Sequence, residues 1–347
     1  MRPGRHPREQ RASRLRLWAA VSLCAWAVVI APDAAAEDAF AGEFLTLGVG
    51  GRGLAMGSAQ AAIASDATAA YWNPAGLGQL SRPDAMFMHA TLHGLDSYDY
   101  VNYAKPIGDG VWSASWLRVG VDDIPVTTVP DRSVPVSSTN RPTLRSTASF
   151  AQNAAVLGWG TRAAGGDRGD LFVGLAGKFL FVTAPQSTNA FGFGADVGAL
   201  GTWRLGDSGQ LRVGANLQDF TRTKLFWNTV PAAGVPSQRD IILPNVKVGL
   251  ALAHDVGPGD STVTLTADTD TKYDFEMHYG AEWDLARTLA VRVGMLERKS
   301  DADTLRDVTA GAGFRLGFTG GQSFTVDYAF VGGDIGASHR VSLGLRM

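Results

Sequence analysis

The residue groups that could do chemistry in this 347-residue chain are few and widely spaced. Gly206-Asp207-Ser208-Gly209 has the nucleophile context of trypsin-like proteases, but a serine needs a nearby base to take its proton, and no matching histidine context occurs. Glycine beside aspartate is ordinary turn chemistry, so the run is expected to be a turn. His89, His93, His254, His278 and His339 lack metal-ligand spacing in company with acids. His89 and His93 share a face if their segment is a strand, yet four residues of strand set them too far apart for one ion. Asp268, Asp270 and Asp274 could invite calcium, but the EF-hand pattern is absent and a solvated acidic loop is the expectation. No G-x-S-x-G occurs, so a lipase-type nucleophile elbow is missing. Gly48, Gly50 and Gly53 match G-x-G-x-x-G, but that fingerprint binds a dinucleotide only inside a βαβ unit. Catalytic residues, a cofactor site and a metal site are therefore not expected, and neither is enzymatic activity.

Composition narrows the partners. The first 36 residues hold Arg2, Arg5, Arg8, Arg11, Arg14 and Arg16 against Glu9 and Asp33, together with the single cysteine, Cys24. Taking those 6 cations from 31 and those 2 acids from 33 leaves the remainder at −6, with no thiol. That remainder has no disulfide framework, no Cys-ligated metal and no cysteine nucleophile. It also lacks the basic surplus that nucleic acid requires.

The first segment has the layout of a secretory signal peptide, residues 1–36. Arginine-rich residues 1–16 precede an apolar run, residues 17–30, and Ala34-Ala35-Ala36 places small residues at −3 and −1 before Glu37. Fourteen apolar residues rise only about 21 Å as a helix, short of the roughly 30 Å of a hydrocarbon core, which disfavours a membrane anchor. A lipid-acceptor role for Cys24 is disfavoured by Leu23 at −1.

From residue 85 the sequence alternates with the period of a strand. Phe324, Val326, Tyr328 and Phe330 oppose Ser323, Thr325, Asp327 and Ala329, and Val341, Leu343, Leu345 and Met347 oppose Ser342, Gly344 and Arg346. One face is large and apolar, the other small with occasional charges. A soluble sandwich would need more charge on its outer face. Large residues toward lipid and small ones toward a lumen fit an all-β, transmembrane antiparallel barrel over residues 85–347, closed because lipid tolerates no open edge. Turn signals divide it into fourteen strands near 85–93, 98–106, 111–120, 147–161, 170–183, 191–204, 210–221, 241–254, 261–270, 275–285, 287–297, 305–317, 322–331 and 338–347. The connections after even-numbered strands are short and mostly glycine-rich, while the long loops 121–146 and 222–240 follow strands 3 and 7. That parity puts both termini on the periplasmic side of a Gram-negative outer membrane.

Residues 37–84 do not alternate. They contain Gly50-Gly51-Arg52-Gly53-Leu54-Ala55-Met56-Gly57, the run Ala64-Ser65-Asp66-Ala67, and Trp72-Asn73-Pro74-Ala75-Gly76-Leu77. These stretches resemble the N-terminal signature of the PorV/PorQ family, also called the UPF0164 group, within the FadL-type superfamily of outer-membrane barrels. The resemblance extends through Gly280-Ala281-Glu282-Trp283, Leu289 to Gly294 and His339 to Leu345. It implies a fourteen-stranded barrel with residues 37–84 folded inside as a plug, carried by Arg52, Met56, Gly57, Asp66, Trp72, Asn73, Pro74, Ala75, Gly76 and Leu77. Small residues dominate 53–70, as a segment threaded through a lumen needs, and small lumen-facing partners are expected at Gly192, Gly194, Gly198, Gly249, Gly311 and Gly313. Asn73 and Asp66 are expected to bond the plug to the wall. The chain departs from the pattern at Ser58 and Ser65, and it ends in Met347 rather than an aromatic residue.

Two functions follow from the resemblance. One is passage or binding of hydrophobic small molecules across the outer membrane. The other is a secretion-system accessory that binds or shuttles secreted proteins for surface attachment. The expected partners are outer-membrane lipid and lipopolysaccharide, the barrel-assembly machinery, and either a hydrophobic small molecule or a secreted protein.

Overall fold

The computed structural model describes residues 42–347 except 93, 95, 186–187, 229–239, 258–259, 273–274, 300–303 and 334–335. The signal-peptide expectation, Cys24 and His93 lie outside the described residues.

Among the described residues, alternating large and small side chains build sixteen strands: β1 Asp84–Leu92, β2 Asp96–Ile107, β3 Gly110–Thr128, β4 Thr143–Gly166, β5 Gly169–Ala184, β6 Thr188–Leu205, β7 Gly209–Gln218, β8 Thr223–Trp227, β9 Asp240–Ile242, β10 Asn245–Asp255, β11 Thr262–Asp270, β12 Glu276–Leu285, β13 Leu289–Lys299, β14 Thr304–Gly317, β15 Ser323–Gly333 and β16 Gly336–Arg346. β7 with β8 makes one stave of the wall and β9 with β10 another, so the barrel has the fourteen staves expected. Every neighbour is antiparallel, and β1 closes the cylinder against β16 in the register Asp84↔Arg346 to Thr91↔His339. Arg346 donates to Asp84 Oδ2 from Nε at 3.0 Å and Nη2 at 2.6 Å, on the seam where the two ends of the wall meet.

The orientation of the two faces follows from what solvates them. Phe87, Val101, Tyr103, Trp112, Trp116, Leu157, Leu175, Trp283, Val291, Tyr328 and Leu343 all point outward and are exposed. Lipid, not water, solvates such an exterior. The lumen face holds the small residues and, beyond what the alternation suggested, many buried charges: Lys178, Asp196, Asp268, Asp270, Glu276, His278, Glu282, Arg292 and Arg340. The sequence expectation of a solvated acidic loop fails for Asp268 and Asp270, which are lumen residues of β11. Asp274 lies outside the described residues.

Two other differences concern the rim. Residues 121–146 are not simply a loop, because β3 and β4 continue to pair from Val121↔Phe150 to Thr128↔Thr143. β2 stops at Ser97↔Gly120 and β5 at Ala151↔Thr183, so this part is a two-stranded ribbon standing beyond its neighbours. Eight residues of strand extend it by ~26 Å. Its tip is organised by Asn140, whose amide donates to the carbonyls of Asp131 (2.7 Å) and Val134 (3.1 Å). The second difference is the break between β7 and β8. At 219–222 the chain steps out of the β6 ladder, with positive φ at Asp219 (51°) and Arg222 (54°). Lys178 spans the break on the lumen side, its Nζ 2.7 Å from Asp196 Oδ1 and 2.8 Å from Asp219 Oδ2.

Residues 42–83 lie within the cylinder. They form 3-10 turns at Glu43–Thr46 and Pro74–Gln79 and the short helices α1 Gly51–Ala55 and α2 Ala69–Trp72. Helices of one turn have almost no intrinsic stability, so packing must hold them. Phe44, Val49, Leu54, Trp72 and Leu77 bury against Met88, Tyr98, Tyr100, Leu117, Leu180 and Ile242 of the wall.

Candidate functional site

The N-terminal segment meets the wall on two flanks. On the first, Gly51 brings α1 against β15 and β16, where its N–H donates to Ser342 Oγ at 2.9 Å and an added Cβ would stand 2.9 Å from the Asp327 carbonyl oxygen. That places Arg52 opposite β12. Its Nε and Nη2 donate to Glu282 Oε2 and Oε1, both at 2.9 Å, in the two-pronged geometry that guanidinium and carboxylate share. Glu282 Oε2 also accepts from Arg292 Nε at 2.6 Å, and Arg292 Nη1 donates to Asp327 Oδ1 at 2.6 Å. A single buried carboxylate thus holds one arginine from the segment and one from the wall.

Met56 buries with Ala62, Ile63 and Ala251. Gly57 follows with φ of 62°, its N–H 3.0 Å from Thr309 Oγ1 and its carbonyl accepting from His278 Nδ1 at 2.8 Å. A Cβ on Gly57 would stand 2.6 Å from the Tyr279 carbonyl oxygen, so both backbone angle and space demand glycine there. The Ala61 N–H donates to Asp268 Oδ2 at 2.6 Å, giving that buried aspartate a segment partner.

On the second flank, Trp72 donates from Nε1 to the Val49 carbonyl at 3.1 Å, and its own carbonyl accepts from Asn216 Nδ2 at 2.9 Å. Asn73 donates to the carbonyls of Ala61 (2.7 Å) and Ala199 (3.2 Å) and accepts from the Ala75 N–H at 3.2 Å. It ties two parts of the segment to each other and to β6. Pro74, Ala75, Gly76 and Leu77 are all buried, packed where Gly158, Gly160, Gly174 and Gly198 leave the wall without side chains. Among the six glycines expected to receive the segment, Gly198 meets Asn73 and Pro74, Gly249 meets Ala61 and Gly311 meets Ala55. The added Cβ at Gly192, Gly194 or Gly313 would instead meet wall residues. Asp66 also departs from expectation. Its Oδ1 accepts from the Thr68 N–H (2.8 Å) and hydroxyl (2.5 Å), capping its own turn rather than bonding the wall.

Among the described residues, a cavity lies on either side of the segment. Toward the short turns lies one of about 190 Å³, polar and lined by Arg52, Asp66, Asp84, Asp284, Arg315 and Arg346. Toward the long loops lies one of about 80 Å³ with two unlike walls. Tyr71, Trp72, Tyr100, Leu117 and Val156 make its apolar side, and Lys178, Asp219, Lys247, Asp270, Glu276 and His278 its charged side. Sequence reasoning singled out Asp270 and His278 but not their convergence with Lys178, Asp219, Lys247 and Glu276, because these residues pair across strands and are invisible one strand at a time.

The other sequence candidates stay apart. Ser208 sits in the β6–β7 turn. His89 faces outward, 2.7 Å from Asp99, and His339 faces outward beside the Tyr328 hydroxyl at 2.6 Å.

No family model and no curated protein sequence matches the chain. Among solved structures it is similar to the CymD monoaromatic hydrocarbon channel, with a TM-score of 0.52 at 9% identity, covering 86% of this chain and 96% of that one. The toluene transporter TodX of Pseudomonas putida follows at 0.49 and 12%, covering 86% and 97%. A FadL homologue of Pseudomonas aeruginosa follows at 0.44 and 11%, covering 83% and 95%. The likeness to CymD is one of fold.

Proposed function

We propose that this is an outer-membrane barrel that passes hydrophobic small molecules, with residues 42–83 as the plug that must yield for passage. The observation that carries the reading is the two-walled cavity above the plug. Its aromatic side accommodates an apolar body, and its charged side a polar end. A water-filled pore has no use for a segment that buries Met56, Trp72 and Leu77 in its lumen. The fold shared with a hydrocarbon channel supports the same reading. Arg52, Met56, Gly57, Trp72, Asn73, Pro74, Ala75, Gly76 and Leu77 seat the plug, and Asp66 shapes its lower turn. No catalytic role is assigned to any of them.

The test is uptake by cells that lack their own hydrophobic-substrate channel. Expression of the full chain should restore entry of a labelled alkylbenzene or long-chain fatty acid, and mass spectrometry of mildly solubilised protein should find such a molecule bound. No gain in uptake together with an empty barrel would overturn the reading.

The projecting ribbon favours a second reading. A preorganised, water-exposed pair of strands with open edges is a surface on which an exported protein could dock, as the resemblance to the PorV/PorQ family suggests. Crosslinking from the ribbon in intact cells should then recover a secreted protein, and recovery of assembly factors alone would count against it.

A further inference from the structure

The buried cluster Asp270, Glu276 and His278 lines the upper cavity, and its ligating atoms all lie within 4.8 Å of one another. His278 is oriented from outside the cluster. Its Nδ1 lies 2.8 Å from the Gly57 carbonyl oxygen, which can only accept, so Nδ1 carries the proton of the neutral ring. Nε2 is then the lone-pair nitrogen, and it points between the two carboxylates, 3.4 Å from Asp270 Oδ2 and 3.8 Å from Glu276 Oε2. Those separations exceed a good N–H···O bond of about 2.7–3.2 Å. The His278–Asp270 separation matches instead the ligand-to-ligand spacing around a tetrahedral ion with bonds of roughly 2.0–2.2 Å, which is about 3.3–3.6 Å, and Glu276 at 3.8 Å has only a few tenths of an ångström to close to join it. A histidine whose far nitrogen is fixed by a backbone carbonyl is also the arrangement that metal-ligating histidines use.

We propose that Asp270, Glu276 and His278 form a binding site for a divalent transition-metal ion such as Zn²⁺ or Ni²⁺, with a fourth position open to the cavity. The imidazole nitrogen selects such ions over Ca²⁺ and Mg²⁺, which prefer oxygen alone. Lys247 opposes occupancy, because its Nζ stands 3.0 Å from the same Asp270 Oδ2 and must move aside. Arg298 pairs with Oε1 of Glu276, the oxygen that does not face His278. The site joins β11 and β12 to the plug carbonyl of Gly57, so a bound ion would brace the seam between plug and wall. This inference goes beyond transport, and its failure would leave the uptake result untouched.

The experiment uses the full chain, purified in mild detergent through a histidine-free tag and stripped with chelator. Cobalt(II) serves as the probe because tetrahedral coordination gives intense visible bands, and Zn²⁺ competition reports affinity. One equivalent of Co²⁺ should bind with those bands, displaced by Zn²⁺ and unaffected by millimolar Ca²⁺. H278Q and E276Q should each weaken binding at least tenfold, and K247M should tighten it by roughly as much. Heat-modifiable gel mobility checks that each variant is folded. Absence of stoichiometric cobalt binding by the wild type, or binding unchanged in both folded H278Q and E276Q, would overturn the proposal.

Discussion

Arg52→Ala should loosen the plug without unfolding the barrel. The substitution removes two charge-assisted hydrogen bonds to Glu282, while that carboxylate keeps Arg292 at 2.6 Å and is not left alone. Bonds to charged groups contribute about 1.5–3 kcal/mol each, and the half-buried position of Arg52 with a surviving partner for Glu282 brings the two together down to about the range of a single such bond. A loss of about 2 kcal/mol raises the population of a locally detached plug ~30-fold. Hydrogen exchange reads this at the amides of Leu54, Gly57 and Ser58, which donate to carbonyls of Gly50, Leu54 and Gly53. Protection there should fall by that factor while amides of β5, remote from Arg52, keep theirs. Glu282→Gln should do more, because it leaves Arg52 and Arg292 together without their shared carboxylate. Arg52→Lys should fall between, keeping charge but losing the fork. Unchanged protection in residues 50–58 of the alanine variant, or equal loss throughout the barrel, would refute the latch.

Other perturbations separate plug, wall and ribbon. Gly57→Ala should destabilise plug docking by at least about 1 kcal/mol, since alanine must adopt φ of 62° beside the Tyr279 carbonyl; increased protease nicking within residues 50–60 would report it. Asn73→Ala removes a side chain making three hydrogen bonds and should cost about 2–4 kcal/mol of plug docking, measured as increased bilayer conductance. Lys178→Met leaves Asp196 and Asp219 facing each other and should lower barrel stability by about 3–5 kcal/mol, seen as a lower melting temperature that adding Asp219→Asn partly restores. Replacing residues 122–149 with an Asn-Gly turn, which the pairing Val121↔Phe150 permits, should leave melting and small-molecule uptake intact while abolishing any capture of a secreted protein.

Sequence periodicity carries the barrel because lipid imposes one rule on every stave: large residues out, small residues in. Phe324 to Phe330 and Val341 to Met347 obey it, and so fourteen staves were legible. The ribbon was not, because water wets both of its faces and no side-chain period is enforced between Asp122 and Ser149. The stretch after the break at 219–222 was hidden for a related reason: the turn signals end that strand at 221 and give 222–240 to a loop, and only the ladder with β6 shows that pairing resumes in β8. Asn73 and Gly57 could be singled out from their local setting. Their partners could not, since Glu282 lies 230 residues from Arg52 and His278 lies 221 from Gly57. For the same reason His278 looked isolated among the histidines, although the β11–β12 pairing sets Asp268 directly opposite it.

The seam between β1 and β16 also bears on how the cylinder is completed. Its last rung joins Asp84 and Arg346 by two hydrogen bonds. A strand shifted by a single residue turns every side chain to the opposite face. Arg346 would then turn to the outer face of the rim and Asp84 would be left as a buried charge without its partner, which is the costly half of the exchange. The pair therefore works as a checksum on closure: only a chain counted correctly from its first stave to its last can bring the two charges together.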